Sequence, residues 1–83
     1  MPNWSTFFPR GYEYDYDRDK LHLHRVTIDE AVQCFQNGFA IRRNKSYKNR
    51  FKLIGISDEG RRLCIIFQLK RNNVVRIITG WEV

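Results

Sequence analysis

The apolar positions of this chain follow two rhythms, first helical and then that of strands. From residue 28 onward Ile28, Ala31, Val32 and Phe35 recur at three- and four-residue spacing, which places them on one face of an amphipathic helix. Its start is signalled by Thr27-Ile28-Asp29-Glu30. There the threonine hydroxyl can accept from the amide three residues on, and the glutamate can reach back to the threonine amide, forming a capping box. Val26 stands where it can staple onto Ala31, and Asn37-Gly38 supplies the left-handed stop. After Gly38 the period shortens to that of strands, predicted at residues 39–45, 50–57, 62–70 and 74–81. A polar connection spans 46–49, Asp58-Glu59-Gly60 makes a turn, and Asn72-Asn73 makes a tight hairpin of the kind that needs positive φ. Ahead of the helix, residues 1–10 show no period and read as an irregular arm. Tyr12, Tyr14 and Tyr16 alternate with Glu13 and Asp15 as in a short edge strand, and residues 17–24 suit a short helix capped by Asp17.

One or two N-terminal helices on a mostly antiparallel sheet of four to five strands follow, an α+β domain over residues 11–83. Alternation sorts the sheet into two faces. Phe51, Leu53, Gly55, Leu63, Ile65, Phe67, Leu69, Val75, Ile77 and Trp81 form the expected core face. The other face carries Arg50, Lys52, Arg62, Lys70 and Arg76 around an apolar middle of Ile54, Ile56, Cys64, Ile66 and Ile78, with Gln68 among them. Such a face meets a partner or is covered by another segment, for which Trp4, Phe7 and Phe8 of the arm are candidates.

Composition changes the picture in two ways. At 83 residues the chain has room for one modest core and little for a large substrate cavity. Cys34 and Cys64 lie in apolar runs without metal-ligand spacing, so buried reduced thiols are expected rather than a disulfide or a zinc site, and no cofactor or metal is implied. Residues 1–10 lack the apolar stretch of a signal peptide and no run is long enough to span a membrane, which predicts a cytoplasmic location. The net charge of +6 is unevenly spread. Residues 1–39 hold four bases against six acids, and residues 40–76 hold eleven against two. A field of that sign attracts a polyanion such as RNA or an acidic protein, the alternative being a merely solvated basic surface.

Five short patterns carry a resemblance. They are Tyr14-Asp15-Tyr16-Asp17, His24-Arg25-Val26-Thr27-Ile28-Asp29-Glu30-Ala31, Arg50 five residues before Gly55, Gly60-Arg61-Arg62-Leu63-Cys64-Ile65-Ile66-Phe67, and Arg76-Ile77-Ile78-Thr79. Over residues 13–81 the chain resembles the BrnT toxins of type II toxin–antitoxin systems. The resemblance implies a RelE-like fold, a metal-independent endoribonuclease activity, and a cognate DNA-binding antitoxin, of ribbon-helix-helix type, encoded beside it. A homodimer is left open. The glycine usual after the matched histidine is Arg25 here, the arm is longer than the pattern requires, and where the family continues with a basic residue and a basic helix this sequence has Trp81 and runs to Val83.

Cleaving RNA without a metal requires a base for the 2′-hydroxyl, an acid for the leaving oxygen, and fixed donors for the charge on the phosphorane. Arginine suits the last role because its planar fork binds phosphate oxygens bidentately. Arg50, Arg62 and Arg76 share one expected face of three strands and are the candidate phosphate cradle, with Arg61 as a possible substitute for Arg62. Lys52, Lys70 and Arg42 extend the candidate RNA-binding set. His24 is the candidate acid or base, the rival role being a hydrogen bond to a helix-end carbonyl. Lys20, Lys52 and Tyr47 are fallback acids or phosphate ligands, and Asp15, Asp17 and Asp19 are expected to cap or solvate an exposed edge. A non-catalytic module that binds RNA or the antitoxin through the same face is the competing function.

Overall fold

A computed structural model describes residues 9–16, 20–43 and 50–83, with the backbone alone for Phe39, Arg42 and Arg43. The aromatic arm residues Trp4, Phe7 and Phe8, the cap Asp17, Asp19 and Tyr47 lie outside the described residues.

Strand β1 (Gly11–Tyr14) is followed by a single helical turn, α1 (Lys20–Leu23), and by helix α2 (Ile28–Gln36). Strands β2 (Phe39–Arg43), β3 (Arg50–Ile56), β4 (Arg62–Lys70) and β5 (Val74–Glu82) complete a five-stranded sheet in the order β1-β5-β4-β3-β2. The fold is therefore α+β, as expected. The sheet is mixed, because β1 pairs parallel to β5 while the other three pairings are antiparallel.

Helix α2 forms as its sequence dictates. Thr27 Oγ1 accepts from the Glu30 amide at 3.1 Å and Glu30 Oε1 accepts from the Thr27 amide at 3.1 Å, a complete capping box worth about 1 kcal/mol. Its buried face is Ala31, Cys34 and Phe35. Phe35 meets Phe67 edge-on at 5.0 Å, and Phe67 stacks on Phe51 at 5.6 Å, so one aromatic file joins helix to sheet. The close approach of α2 depends on Gly55, where an added Cβ would stand 2.9 Å from both Cβ and the carbonyl oxygen of Cys34. Burial pushes the Cys34 thiol up to about 11, with the charge of Glu30 adding to the effect.

The β4–β5 hairpin turns through Arg71–Asn73, with Asn72 and Asn73 both at positive φ (64° and 60°), as the dipeptide predicts. One expectation fails in β5. Ile66 pairs with Thr79 but Phe67 pairs with Ile77, so Ile78 is an extra residue without a ladder partner. This bulge inverts the alternation beyond it. Gly80, not Trp81, faces Ile65 in the core, and Trp81 pairs with Cys64 on the opposite face. Gly80 in turn makes room for Leu21, the fully buried residue of α1, whose Cδ2 would lie 3.2 Å from an added Cβ. Of the helix expected over 17–24 the structure describes the helical turn Lys20–Leu23, with Leu21 as its anchor, and residues 17–19 lie outside the described residues.

Arg25 adopts φ 56°, the left-handed conformation that glycine enters without strain. No helix among the described residues is long and apolar enough to cross a membrane.

Candidate anion-binding site

The face of the sheet away from the helices has a buried apolar middle, Cys64 and Ile66, as alternation requires. Across it runs one ladder row in which Arg50 pairs with Gln68, Gln68 with Arg76, and Arg76 with Glu13. Neighbouring strands stand about 4.8 Å apart, so Arg50 and Arg76, one strand removed from each other, leave their Cα atoms roughly 10 Å apart with a glutamine between them. Two long guanidinium side chains easily close that gap on a shared anion.

A cavity of about 290 Å³ opens at this row. Its walls are Arg50, Gln68, Arg76, Lys20 and Asp15, with Ile77 and Ile78 of the bulge. The bulge therefore helps to shape the cavity beside the guanidiniums. The volume sits at the bottom of the range of small-molecule pockets, which suits a phosphate group better than a large substrate. Among the described residues that line it, three are cations and one is a carboxylate, a balance that attracts anions.

The candidate residues divide accordingly. Arg50 and Arg76 converge, and Arg62 does not join them. Arg62 pairs with Ile56, six ladder positions from the row of Gln68, so it stands roughly 20 Å away along the strands at about 3.3 Å per residue. Alternation placed it on the right face but says nothing of position along the strand. Nor does Arg61 take its place. Its guanidinium bridges Glu30 at 2.8 Å and Glu82 at 3.1 Å and donates to the Arg25 carbonyl at 3.1 Å. The hydrogen bonds it donates to Glu30 and then to Glu82 raise its pKa further. Burial pushes the Glu30 carboxyl up, but the Thr27 amide and the Arg61 guanidinium outweigh this and hold it below its ordinary value.

Lys70 is paired with Glu13 at 2.9 Å on the same face. Lys52 is exposed between Arg42 and Ile66 in the ladder, and the Arg42 side chain lies outside the described atoms. His24 is exposed, with its ring 6.1 Å from that of Trp81. Trp81 pairs four ladder positions from the Gln68 row, roughly 13 Å along the strands, so His24 is absent from the cavity.

Lys20, a fallback in the sequence, occupies the wall instead, and Asp15 joins it. The signal for Lys20 was its place at the start of α1, just after β1 leaves the sheet beside β5. Gln68 was legible as the one uncharged polar residue within β4. Among the described residues no three His, Cys, Asp or Glu side chains gather as a metal-binding group. No model of a known protein family matches the chain, and no curated protein matches it.

Proposed function

We propose that this protein is a BrnT-like toxin of RelE-like fold, a metal-independent endoribonuclease that takes RNA on the basic face of its sheet, away from the helices. The observation that carries the reading is the single cavity lined by Arg50, Arg76 and Lys20. An RNA phosphate seated there receives two guanidinium forks, which hold the additional charge that builds on phosphorus during attack by the neighbouring 2′-oxygen. The Asp15 carboxylate takes the 2′-hydroxyl proton, and the Lys20 ammonium gives a proton to the departing 5′-oxygen. The phosphorus–5′-oxygen bond breaks as the 2′-oxygen–phosphorus bond forms, leaving a 2′,3′-cyclic phosphate and a 5′-hydroxyl. Solvent then returns the proton from Asp15 to Lys20. In this reading the partner is a cognate antitoxin that neutralises the toxin, and the site of action is the cytoplasm.

One observation favours a second reading, a non-catalytic RNA- or antitoxin-binding module: no histidine lines the cavity. The two separate in one experiment. Purified protein at micromolar concentration is incubated with single-stranded RNA in EDTA. The ribonuclease reading expects cyclic-phosphate ends, and a fall of about a hundredfold or more in rate for Arg50→Ala and Arg76→Ala at unchanged melting temperature. RNA affinity without cleavage selects the binding module. Absence of both removes RNA as the partner.

A further inference from the structure

Resting on the RNA reading of the cavity, we infer that Tyr16 is a stacking platform for a nucleobase adjoining the bound phosphate. Asp15 lines the anion cavity, and Tyr16, the next residue, lines a second cavity of about 170 Å³ with Tyr14, His22, Val26, Thr27 and Ile28. The same alternation occurs on α1, where Lys20 faces the first cavity and His22 the second. Asp15 and Tyr16 just after β1, and Lys20 and His22 on α1, thus divide between two cavities of different chemistry. Three cations line the first, while the described lining of the second is Tyr14, Tyr16, Val26 and Ile28 with His22 and Thr27.

Tyr16 is 68% exposed, and among the described residues it is the exposed large hydrophobic side chain with a ring, the others being Leu23, Ile56 and Val83. Its ring meets that of Tyr14 at 5.1 Å and 85°. A perpendicular contact covers at most one face of the Tyr16 ring, so the other is left to solvent while the contact restrains its orientation. Tyr14 is itself held, since its hydroxyl accepts from the Leu21 amide at 3.0 Å. An oriented open ring beside a phosphate site is what single-stranded RNA uses, because every base has a π-face and the phosphate fixes the distance to it. A duplex keeps its bases stacked on one another and gains nothing from this ring.

The test measures binding of a labelled single-stranded 2′-O-methyl RNA octamer, which lacks the attacking 2′-hydroxyl, and of its abasic counterpart by anisotropy, in EDTA at low salt. Tyr16→Ala is expected to weaken the RNA about tenfold and leave the abasic octamer unchanged, with Tyr16→Trp restoring RNA affinity. Arg76→Ala weakens both. Equal RNA affinity for Tyr16→Ala and the unaltered protein overturns the platform, as does an equal loss on both octamers, while either result leaves the cavity reading standing. An unaltered protein that binds neither octamer overturns the platform and the cavity reading together.

Discussion

At the scale of single residues, Arg61 shows how a strongly basic sequence uses a cation internally. It ties the first turn of α2, through Glu30, to the end of β5, through Glu82, and to the left-handed residue Arg25. Because the folded protein holds the Glu30 pKa below its ordinary value, the carboxylate favours folding wherever it is ionised in both states. That contribution is present in full above about pH 4.5 and is lost as pH falls through the lower folded value. Glu30→Gln retains an acceptor for the Thr27 amide, so it isolates the charge. The variant is expected to melt a few degrees below the unaltered protein at pH 7, with the gap narrowing as pH falls below about 4.5. Thermal melts of both proteins across that range check the sign, and a gap that widens in acid would contradict it.

At the scale of elements, α2 is fastened to the β3–β4 turn at both ends. Arg61 holds its start, while Asn37 Nδ2 donates to the Ile56 carbonyl and to Asp58, and Gln33 accepts from the Asp58 amide. Between these ties the helix lies on Gly55, so Gly55→Ala forces the backbone of α2 off the sheet. Overpacking of this kind costs about 1–3 kcal/mol, read as a lower urea midpoint at unchanged slope. Gly11→Ala, with nothing within 4 Å of the added carbon, is the control and is expected to change stability by less than about 0.5 kcal/mol.

Much of this was legible in the chain: the capping box and the two asparagines fix α2 and the last hairpin through local chemistry alone. The row of Arg50, Gln68 and Arg76 was legible too, since in an antiparallel hairpin each step from the turn on one strand is matched by one on its partner. Counting from Asp58-Glu59-Gly60 pairs Arg50 with Gln68 and sends Arg62 to Ile56, and counting from Asn72 pairs Gln68 with Arg76. The expectation of three convergent arginines erred by using the face and neglecting this count. The bulge at Ile78 was not legible, because nothing in Arg76-Ile77-Ile78-Thr79 distinguishes it from regular strand; the packing of Leu21 on Gly80 requires the inverted parity that follows. The parallel pairing of β1 was equally hidden, since alternation in Gly11–Tyr14 does not specify a neighbour or a direction.

At the scale of the molecule, the net charge of +6 does not measure the charge available to a partner. Glu30 and Glu82 are bound to Arg61, and Glu13 to Lys70, so these two bases are already answered within the chain. Lys20, Arg50 and Arg76 line the cavity, and salt dependence counts those that meet RNA. Each cation that takes the place of counterions on a single strand contributes about −0.7 to the slope of log affinity against log salt, so a short RNA met by all three should give a slope of about −2. Arg76→Ala should bring it to roughly −1.4, whereas Arg61→Gln should leave it unchanged, because that guanidinium serves carboxylates of its own chain. Arg62 enters only when the RNA is long enough to run the roughly 20 Å from the Gln68 row to Ile56, so Arg62→Ala should lower the slope for a long oligonucleotide and not for a short one. A slope indifferent to Arg76 would move the binding surface away from the cavity. One that responds to Arg62 at every length would place it at the other end of the sheet.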